Sequence, residues 1–236
     1  MVMITSLTNE KIKEFTKLNN SKTRKLEKKF LVEGPHLIEE AKKAGVLETV
    51  ITTNPDIEGL LVSEAVIKKI ANTVTPVKVM GVCKMKEMQT IAKRVLILDD
   101  IQDPTNLGTL LRTAKAFGFD TVFASKGTVD YYNDKVIRGS QGAIFKLNLL
   151  SGDIVEFINE LKKTHKIYGT NVRNGIDVNM LETNDNLALV LGNEGRGVKE
   201  EVSALCSQNL YIKLNNMESL NVSIAGAILM YEIAKK

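Results

Sequence analysis

Histidine, cysteine and long apolar runs are scarce in this chain of 236 residues, and each scarcity closes off a class of function. The two histidines, His36 and His165, stand alone. No set of residues with zinc-ligand spacing forms around them, so no metal is expected. Cys83 and Cys206 are far apart and lack paired spacing, which reads as two free thiols in a reducing cytoplasm. No stretch approaches the roughly 20 apolar residues of a membrane span. The opening MVMITSLTNEKIKEF has no apolar core of the kind a signal peptide carries. Internal repeats and low-complexity tracts are also missing.

What is present suits a folded α/β protein. The chain is 44% hydrophobic and 25% charged, enough for one large or two small domains. Its net charge of +4 is unevenly spread. Residues 1–94 hold 17 Lys and Arg against 11 Asp and Glu, a net +6, whereas residues 95–236 hold 15 against 17, a net −2. The front is therefore the better polyanion surface.

Along the front, Ile12, Phe15 and Leu18 share one helical face. The segment Ser21–Lys29 follows, with Lys22, Arg24, Lys25, Lys28 and Lys29 against one acid. It reads either as a phosphate-contacting segment or as a solvated loop. A short strand at Phe30–Val32 leads to a helix opened by Gly34-Pro35 and closed by Gly45. Strands are expected at Thr49–Thr53, Leu60–Val62 and Pro76–Val82, with a helix capped by Ser63 between the last two. This alternation, residues 1–83, makes a small α/β domain. Residues 84–94 read as a linker.

Val95–Leu98 opens a second domain, 95–236, with the near-continuous apolar strand of a buried parallel sheet. A helix buries Leu107, Leu110, Leu111 and Ala114 and ends at Gly118. Strands are expected at Thr121–Ala124, Ile144–Leu149 and Lys166–Thr170, with helices at Val136–Ser140 and Asp153–His165. Tyr131 and Tyr132 either stack on a base or pack against the sheet. The first strand-to-helix turn, Asp103–Gly108, holds no G-x-G-x-x-G, and no phosphate-binding G-x-x-x-x-G-K-[ST] occurs, so ordinary dinucleotide and nucleotide-hydrolase sites are excluded.

The unusual residues lie near the C-terminus instead. The apolar run Leu187–Leu191 breaks into Gly192-Asn193-Glu194-Gly195-Arg196-Gly197. The run Leu210–Leu214 breaks into Asn215-Asn216-Met217-Glu218-Ser219-Leu220-Asn221, and a last helix follows. Strand ends of this kind border the ligand crevice of open α/β sheets. Each turn also has a plain reading: a glycine turn, a serine cap, an Asn106 helix cap, a solvated Arg112, or a Glu194–Arg196 surface pair worth at most about 1 kcal/mol.

Three segments resemble the SpoU/TrmH family of RNA ribose 2′-O-methyltransferases, of the SPOUT class. They are Leu98-Asp99-Asp100-Ile101-Gln102-Asp103-Pro104-Thr105-Asn106-Leu107-Gly108 through Arg112-Thr113-Ala114, then Leu191–Gly197, then Glu218-Ser219-Leu220-Asn221-Val222-Ser223. Arg138–Ala143 is similar to the family's inter-motif segment. The front, around Lys25 and Lys29–Gly34, resembles the L30e-like substrate-binding domain of many members.

The resemblance implies a SPOUT domain with a parallel sheet and a C-terminal trefoil knot. It implies a homodimer in which both subunits build each active site, and S-adenosylmethionine as cofactor. Gly192, Ile212, Leu214 and Leu220 would line the cofactor pocket. Asn106, Arg112, Glu194, Ser219 and Asn221 would form the polar active-site set. Lys22, Arg24, Lys25, Lys28, Lys29 and Arg138 would meet RNA. Family accounts give Arg112 a base-like role, but a guanidinium with pKa above about 12 stays charged. Arg112 is therefore expected to grip an RNA phosphate and face the developing alkoxide. Asn106, Ser219 and Asn221 are expected to orient the ribose, and Glu194 to hold a basic or hydroxyl partner. Ribosomal RNA is the expected substrate. The alternatives are transfer RNA, a methylated base, or a non-catalytic RNA binder that keeps the fold.

Overall fold

The computed structural model describes residues 2–236 apart from 74, 76, 88, 173, 174 and 182–185. The chain forms two compact units. The first comprises Met1–Glu87 and a returning segment, Tyr132–Phe145. The second comprises Met88–Tyr131 and Lys146–Lys236. The return of Tyr132–Phe145 to the front unit lies outside a simple division near residue 84.

In the first unit the elements run α1 (Glu10–Lys17), α2 (Ser21–Glu27), β1 (Lys29–Glu33), α3 (Pro35–Lys43), β2 (Leu47–Thr52), β3 (Leu60–Leu61), α4 (Glu64–Ile70) and β4 (Val79–Lys84). The sheet order is β1-β4-β2-β3, antiparallel except for the β2–β3 pair. Asn9, Asn20 and Ser63 cap α1, α2 and α4 with side-chain oxygens, as short polar residues do at N-termini. Ile12, Ile51, Val66, Ile70 and Met80 are fully buried in its core.

Two expectations change here. The basic stretch at 21–29 is no loop: most of it forms α2, which ends at a left-handed Lys28 with φ 54°. Strand β4 continues through Cys83 and Lys84, into the stretch read as linker. Farther along, residues 89–92 are stitched to the second unit. Gln89 N donates to Asn148 Oδ1 at 3.1 Å, Asn148 Nδ2 donates to the Gln89 carbonyl at 3.0 Å, and Ala92 N donates to Thr121 Oγ1 at 3.0 Å.

The second unit begins with β5 (Arg94–Leu98), α5 (Pro104–Ala116) and β6 (Thr121–Ser125). Helix α6 (Asp134–Ser140) belongs to the first unit. Then follow β7 (Asn148–Gly152), α7 (Ile154–Leu161), β8 (Lys166–Thr170), β9 (Ile176–Asp177), β10 (Leu187–Leu191), α8 (Glu200–Ser203), β11 (Gln208–Tyr211) and α9 (Val222–Ala234). The strand expected at Ile144–Leu149 is a 3-10 turn at Ala143–Phe145 followed by β7.

Seven strands make a parallel sheet in the order β7-β6-β5-β10-β8-β11-β9. Every residue of β6 and β10 is buried, which explains the unbroken apolar sequence of β10 and the apolar centre of β6 between Thr121 and Ser125. The order reverses direction between β5 and β10, and the crevice beyond their carboxyl ends is the switch point of the sheet. Helix α9 lies on α5 because Gly226 has no side chain: a Cβ there would sit 2.7 Å from Leu110 Cδ2 and from Leu191 Cδ1. Burying Leu229, Met230 and Ile233 on this side contributes about 1.5–3 kcal/mol for each side chain.

Candidate active site

Two turns meet at the switch point, one after β5 and one after β10. Gly192 starts the second. A Cβ on it would overlap the Gly197 carbonyl carbon and the Val198 nitrogen, so only glycine lets the turn fold back this tightly. Asn193 and Gly197 exchange both backbone hydrogen bonds, at 3.0 and 2.9 Å. The Asn193 side chain fills the turn, accepting from Gly195 N and Arg196 N and donating to the Asp100 carbonyl at 2.8 Å.

That geometry aims Glu194 at the start of α5. Its carboxylate accepts from Gln102 N at 3.3 Å, from Asp103 N at 3.1 Å and from Asn106 Nδ2 at 3.1 Å. Two of these donors are backbone N–H groups at the entry to α5, where the helix dipole favours a carboxylate. Partial burial works against the charge. The Asn106 amide and the N–H groups of Glu194 itself, Asp103 and Gln102 outweigh it and hold the carboxyl below the usual glutamate range. Glu194 therefore holds amide and N–H donors; the expected basic or hydroxyl partner is not what it meets. Arg196 turns to Asp100 instead, at 3.8 Å, so no Glu194–Arg196 pair forms.

Asn106 is the third residue of α5, and the N-cap is Asp103 with Pro104 behind it. The plain reading of Asn106 as a cap fails. The side chain is 8% exposed and spans two partners: Nδ2 donates to Glu194 and Oδ1 accepts from Asn221 Nδ2 at 3.0 Å. Asn221, not Ser219, is the N-cap of α9, and its Oδ1 accepts from Ser223 N, Ser223 Oγ and Ile224 N. Glu194, Asn106 and Asn221 thus form one hydrogen-bonded chain through all three motifs.

The remaining expected residues lie apart from that chain. Arg112 is exposed and makes no hydrogen bond or ion pair among the described residues. Six residues on from Asn106, it points about 120° away around α5. Ser219 is exposed and has no polar partner among the described residues. Ile212, Leu214 and Leu220 are half-buried along the segment between β11 and α9.

In the front unit, Lys22, Lys25 and Lys28 are exposed and carry no ion pair among the described residues. Lys29 pairs with Glu48 at 2.8 Å, and Arg138 pairs with Asp134 at 2.9 Å. Arg24 is corrected. It is 7% exposed and donates from Nη1 to the Leu18 and Asn19 carbonyls, both at 2.9 Å, so it closes the end of α1 and does not face RNA. Both tyrosines pack. Tyr131 Oη donates to the Val122 and Leu150 carbonyls, and Tyr132 lies 4.5 Å from the Phe30 ring.

Sequence reading missed Asp99, Asp100, Ser125, Asn193 and Lys199. The signal for the acids was available: two adjacent carboxylates closing an apolar strand. Among the described residues, no cluster of three or more His, Cys, Asp or Glu could hold a metal, and no helix is long and apolar enough to cross a membrane.

A parallel sheet with this pair of turns at its switch point defines an open α/β fold with a ligand crevice beyond β5 and β10. Residues 93–231 match the SpoU rRNA Methylase family, and the chain belongs to that family. Residues 9–81 match the MRM3-like substrate binding domain. The chain is 36% identical to the 23S rRNA (guanosine(2553)-2′-O)-methyltransferase RlmP of Bacillus subtilis, over 99% of each chain. It superposes on a solved RNA 2′-O ribose methyltransferase with a TM-score of 0.80 at 29% identity, covering 99% of this chain and 98% of that one. The AdoMet-bound rRNA methyltransferase from Sinorhizobium meliloti shares the fold, with a TM-score of 0.86 at 24% identity and coverage of 99% and 97%.

Proposed function

We propose that this SpoU-family enzyme transfers a methyl group from S-adenosylmethionine to a ribose 2′-hydroxyl of 23S rRNA, at the guanosine equivalent to the one its Bacillus relative methylates. The Glu194–Asn106–Asn221 chain carries the reading, because it binds the three motif segments into one site at the crevice.

The residues present suit the cofactor. Half-buried Ile212, Leu214 and Leu220 offer apolar surface to a flat base. Among the described residues, the backbone groups of 212–220 make no hydrogen bonds within the chain, so they are free to meet a ligand's polar edge. When bound, the cofactor supplies an electrophilic methyl group, and positioning then accounts for much of the rate. Glu194 is a poor general base, since its hydrogen bonds favour the charged form. It fixes the turn against α5 instead. Asn106 is buried between two partners and holds the network, while Ser219 and the outer face of Asn221 are left to orient ribose. Arg112 grips the neighbouring phosphate and stabilises the developing alkoxide.

Arg112 reaches a site across a homodimer interface in this reading. Two observations support it. Arg112 points away from its own chain's network. In addition, α9 is apolar on all sides yet leaves Ile224 54% and Tyr231 49% exposed, and such a helix belongs in an interior or an interface. The front residues 1–83 bind the rRNA through Lys22, Lys25 and Lys28, and residues 95–236 do the chemistry. In this reading the C-terminal segment forms a trefoil knot; the late entry of β11 between β8 and β9 is an insertion of the chain's end that supports it. The protein acts where ribosomes are built, in the cytoplasm.

The test is methylation of unmodified 23S rRNA with labelled S-adenosylmethionine, digestion to nucleosides and mass spectrometry. The expected product is a 2′-O-methylated guanosine. A methyl group on a base, or no transfer, would overturn the reading.

A further inference from the structure

Asp99 and Asp100 place two carboxylates side by side where β5 ends. Asp99 is fully buried, and its Oδ1 has no hydrogen bond among the described residues. Asp100 is also buried and adopts a left-handed backbone with φ 59°, a conformation Asp tolerates better than most residues. A buried carboxylate without a counter-charge is costly. Lys199, the second residue after Gly197, supplies the counter-charge to both. Its Nζ lies 3.3 Å from Asp99 Oδ1 and 2.8 Å from Asp100 Oδ2. Its backbone N–H donates to Asp99 Oδ2 at 2.9 Å. The other groups facing the pair are Ser125, which donates to Asp100 Oδ1 at 2.8 Å, and Arg196 at 3.8 Å.

The two acids hold both ends of the Glu194 turn. At its start, Asn193 donates to the Asp100 carbonyl. At its end, Lys199 is pinned to Asp99 through backbone and side chain. Glu194 lies between these anchors.

We propose that Lys199 is a positioning residue for methyl transfer: by neutralising Asp99 and Asp100 it latches residues 193–199 to the end of β5 and so fixes Glu194 against α5. The proposal rests on the reading of this turn as the active site. Mutual support is visible in the charges themselves. Hydrogen bonding to Asp100 raises the Lys199 pKa against its partial burial. Burial opposes the charge on Asp100, but hydrogen bonds from Lys199 and Ser125 hold its carboxyl low.

The test compares wild type with Lys199→Met, Lys199→Arg, Asp99→Asn and the double variant Lys199→Met/Asp99→Asn. Two quantities are read: hydrogen exchange of the 193–199 amides, and kcat and KM for rRNA. Lys199→Met is expected to speed exchange in this segment about tenfold or more, the sign of a local opening. It should also lower kcat by about a hundredfold, as a small misplacement of the site does, with KM for rRNA unchanged. Lys199→Arg should keep most of both. Adding Asp99→Asn to Lys199→Met should restore protection and part of kcat, because the fully buried carboxylate at 99 is then gone, while Asp100 keeps Ser125 and Arg196 beside it. If Lys199→Met fails to fold, rescue of folding by Asp99→Asn supports the latch just as well. Unchanged exchange in Lys199→Met, or no rescue by Asp99→Asn, overturns it. A wild-type enzyme that does not methylate rRNA would sink the proposed function, while the exchange data would still decide the latch.

Discussion

Asn221 and Asn106 are 115 positions apart in the chain and share a hydrogen bond of 3.0 Å. The bond couples the cap of the last helix to the first turn of α5, and Asn106 passes the coupling to Glu194. Replacing Asn106 with alanine is expected to cost about 1.5–3 kcal/mol, the range for a hydrogen bond to a charged group. Asn106→Asp should cost more near neutral pH, because it sets a second carboxylate beside Glu194 and cannot donate to it. Urea denaturation at pH 8 and at pH 5 distinguishes the two. The deficit of Asn106→Asp should shrink at the lower pH, and that of Asn106→Ala should not.

Glu194 has a depressed carboxyl pKa, net of partial burial that works against it. A depressed acid contributes stability that is fully present above its unfolded pKa, about 4.3 for glutamate, and is lost as pH falls through the lower folded value. Wild type should therefore exceed Glu194→Gln in stability by a constant margin from about pH 8 to pH 5. The margin should vanish in stronger acid. Denaturation midpoints across that range check the sign.

Arg112→Ala should leave stability within about 0.5 kcal/mol of wild type, since the side chain is exposed and has no partner among the described residues. Its kcat should fall by about two orders of magnitude, as for loss of a donor to a developing charge. If Glu194→Gln also lowers kcat, mixing Arg112→Ala chains with Glu194→Gln chains should give more activity than either variant alone. One site of each mixed dimer then has an intact arginine from one subunit and an intact glutamate from the other. No recovery after subunit exchange would place Arg112 in the same chain's site.

Gly192→Ala brings a methyl group against backbone atoms of Gly197 and Val198, which cannot swing aside as a side chain can. A loss of about 1–3 kcal/mol is expected from the overpacking, together with weakened S-adenosylmethionine binding. Thermal melts and calorimetric titration measure both.

The basic helix α2 separates two kinds of residue. Lys25→Ala and Lys28→Ala should each reduce the slope of log affinity for RNA against log salt by about 1, with little change in stability. Arg24→Met should do the reverse. It frees the buried Leu18 carbonyl and the half-buried Asn19 carbonyl and costs about 1–3 kcal/mol, with the salt slope intact.

Much of the sheet was legible because β10 and the centres of β5 and β6 are buried on both faces and read as apolar runs, Leu187–Leu191, Val95–Leu98 and Val122–Ala124. The misreading of Ile144–Leu149 has a physical cause. Ile144 and Phe145 are apolar because they pack in the front unit, where Phe145 lies 6.2 Å from Phe30, and an apolar run does not announce which core it serves. The two-residue β9 leaves no periodicity to detect. Arg24 resembles its lysine neighbours in composition and differs only in the helical phase that turns it inward.

At the site, glycine and asparagine turns after apolar strands were readable as strand ends facing a crevice. The pairing of Asn106 with Glu194 and Asn221 was not, because the two contacts join residues 88 and 115 positions apart. Lys199 was invisible for a related reason. A lysine beside acidic Glu200 and Glu201 looks like surface charge until the fold places two buried carboxylates beneath it.

The placement of β11 between β8 and β9 has a consequence for synthesis on the ribosome. While residues 208–211 are still inside the exit tunnel, the flank of β8 that will receive them lies open, with its peptide groups facing water or any passing strand. The catalytic unit thus cannot close from front to back as it is made. Its interior waits for the last eighth or so of the polypeptide, and a premature stop there removes the strand between β8 and β9 and leaves β9 without its partner.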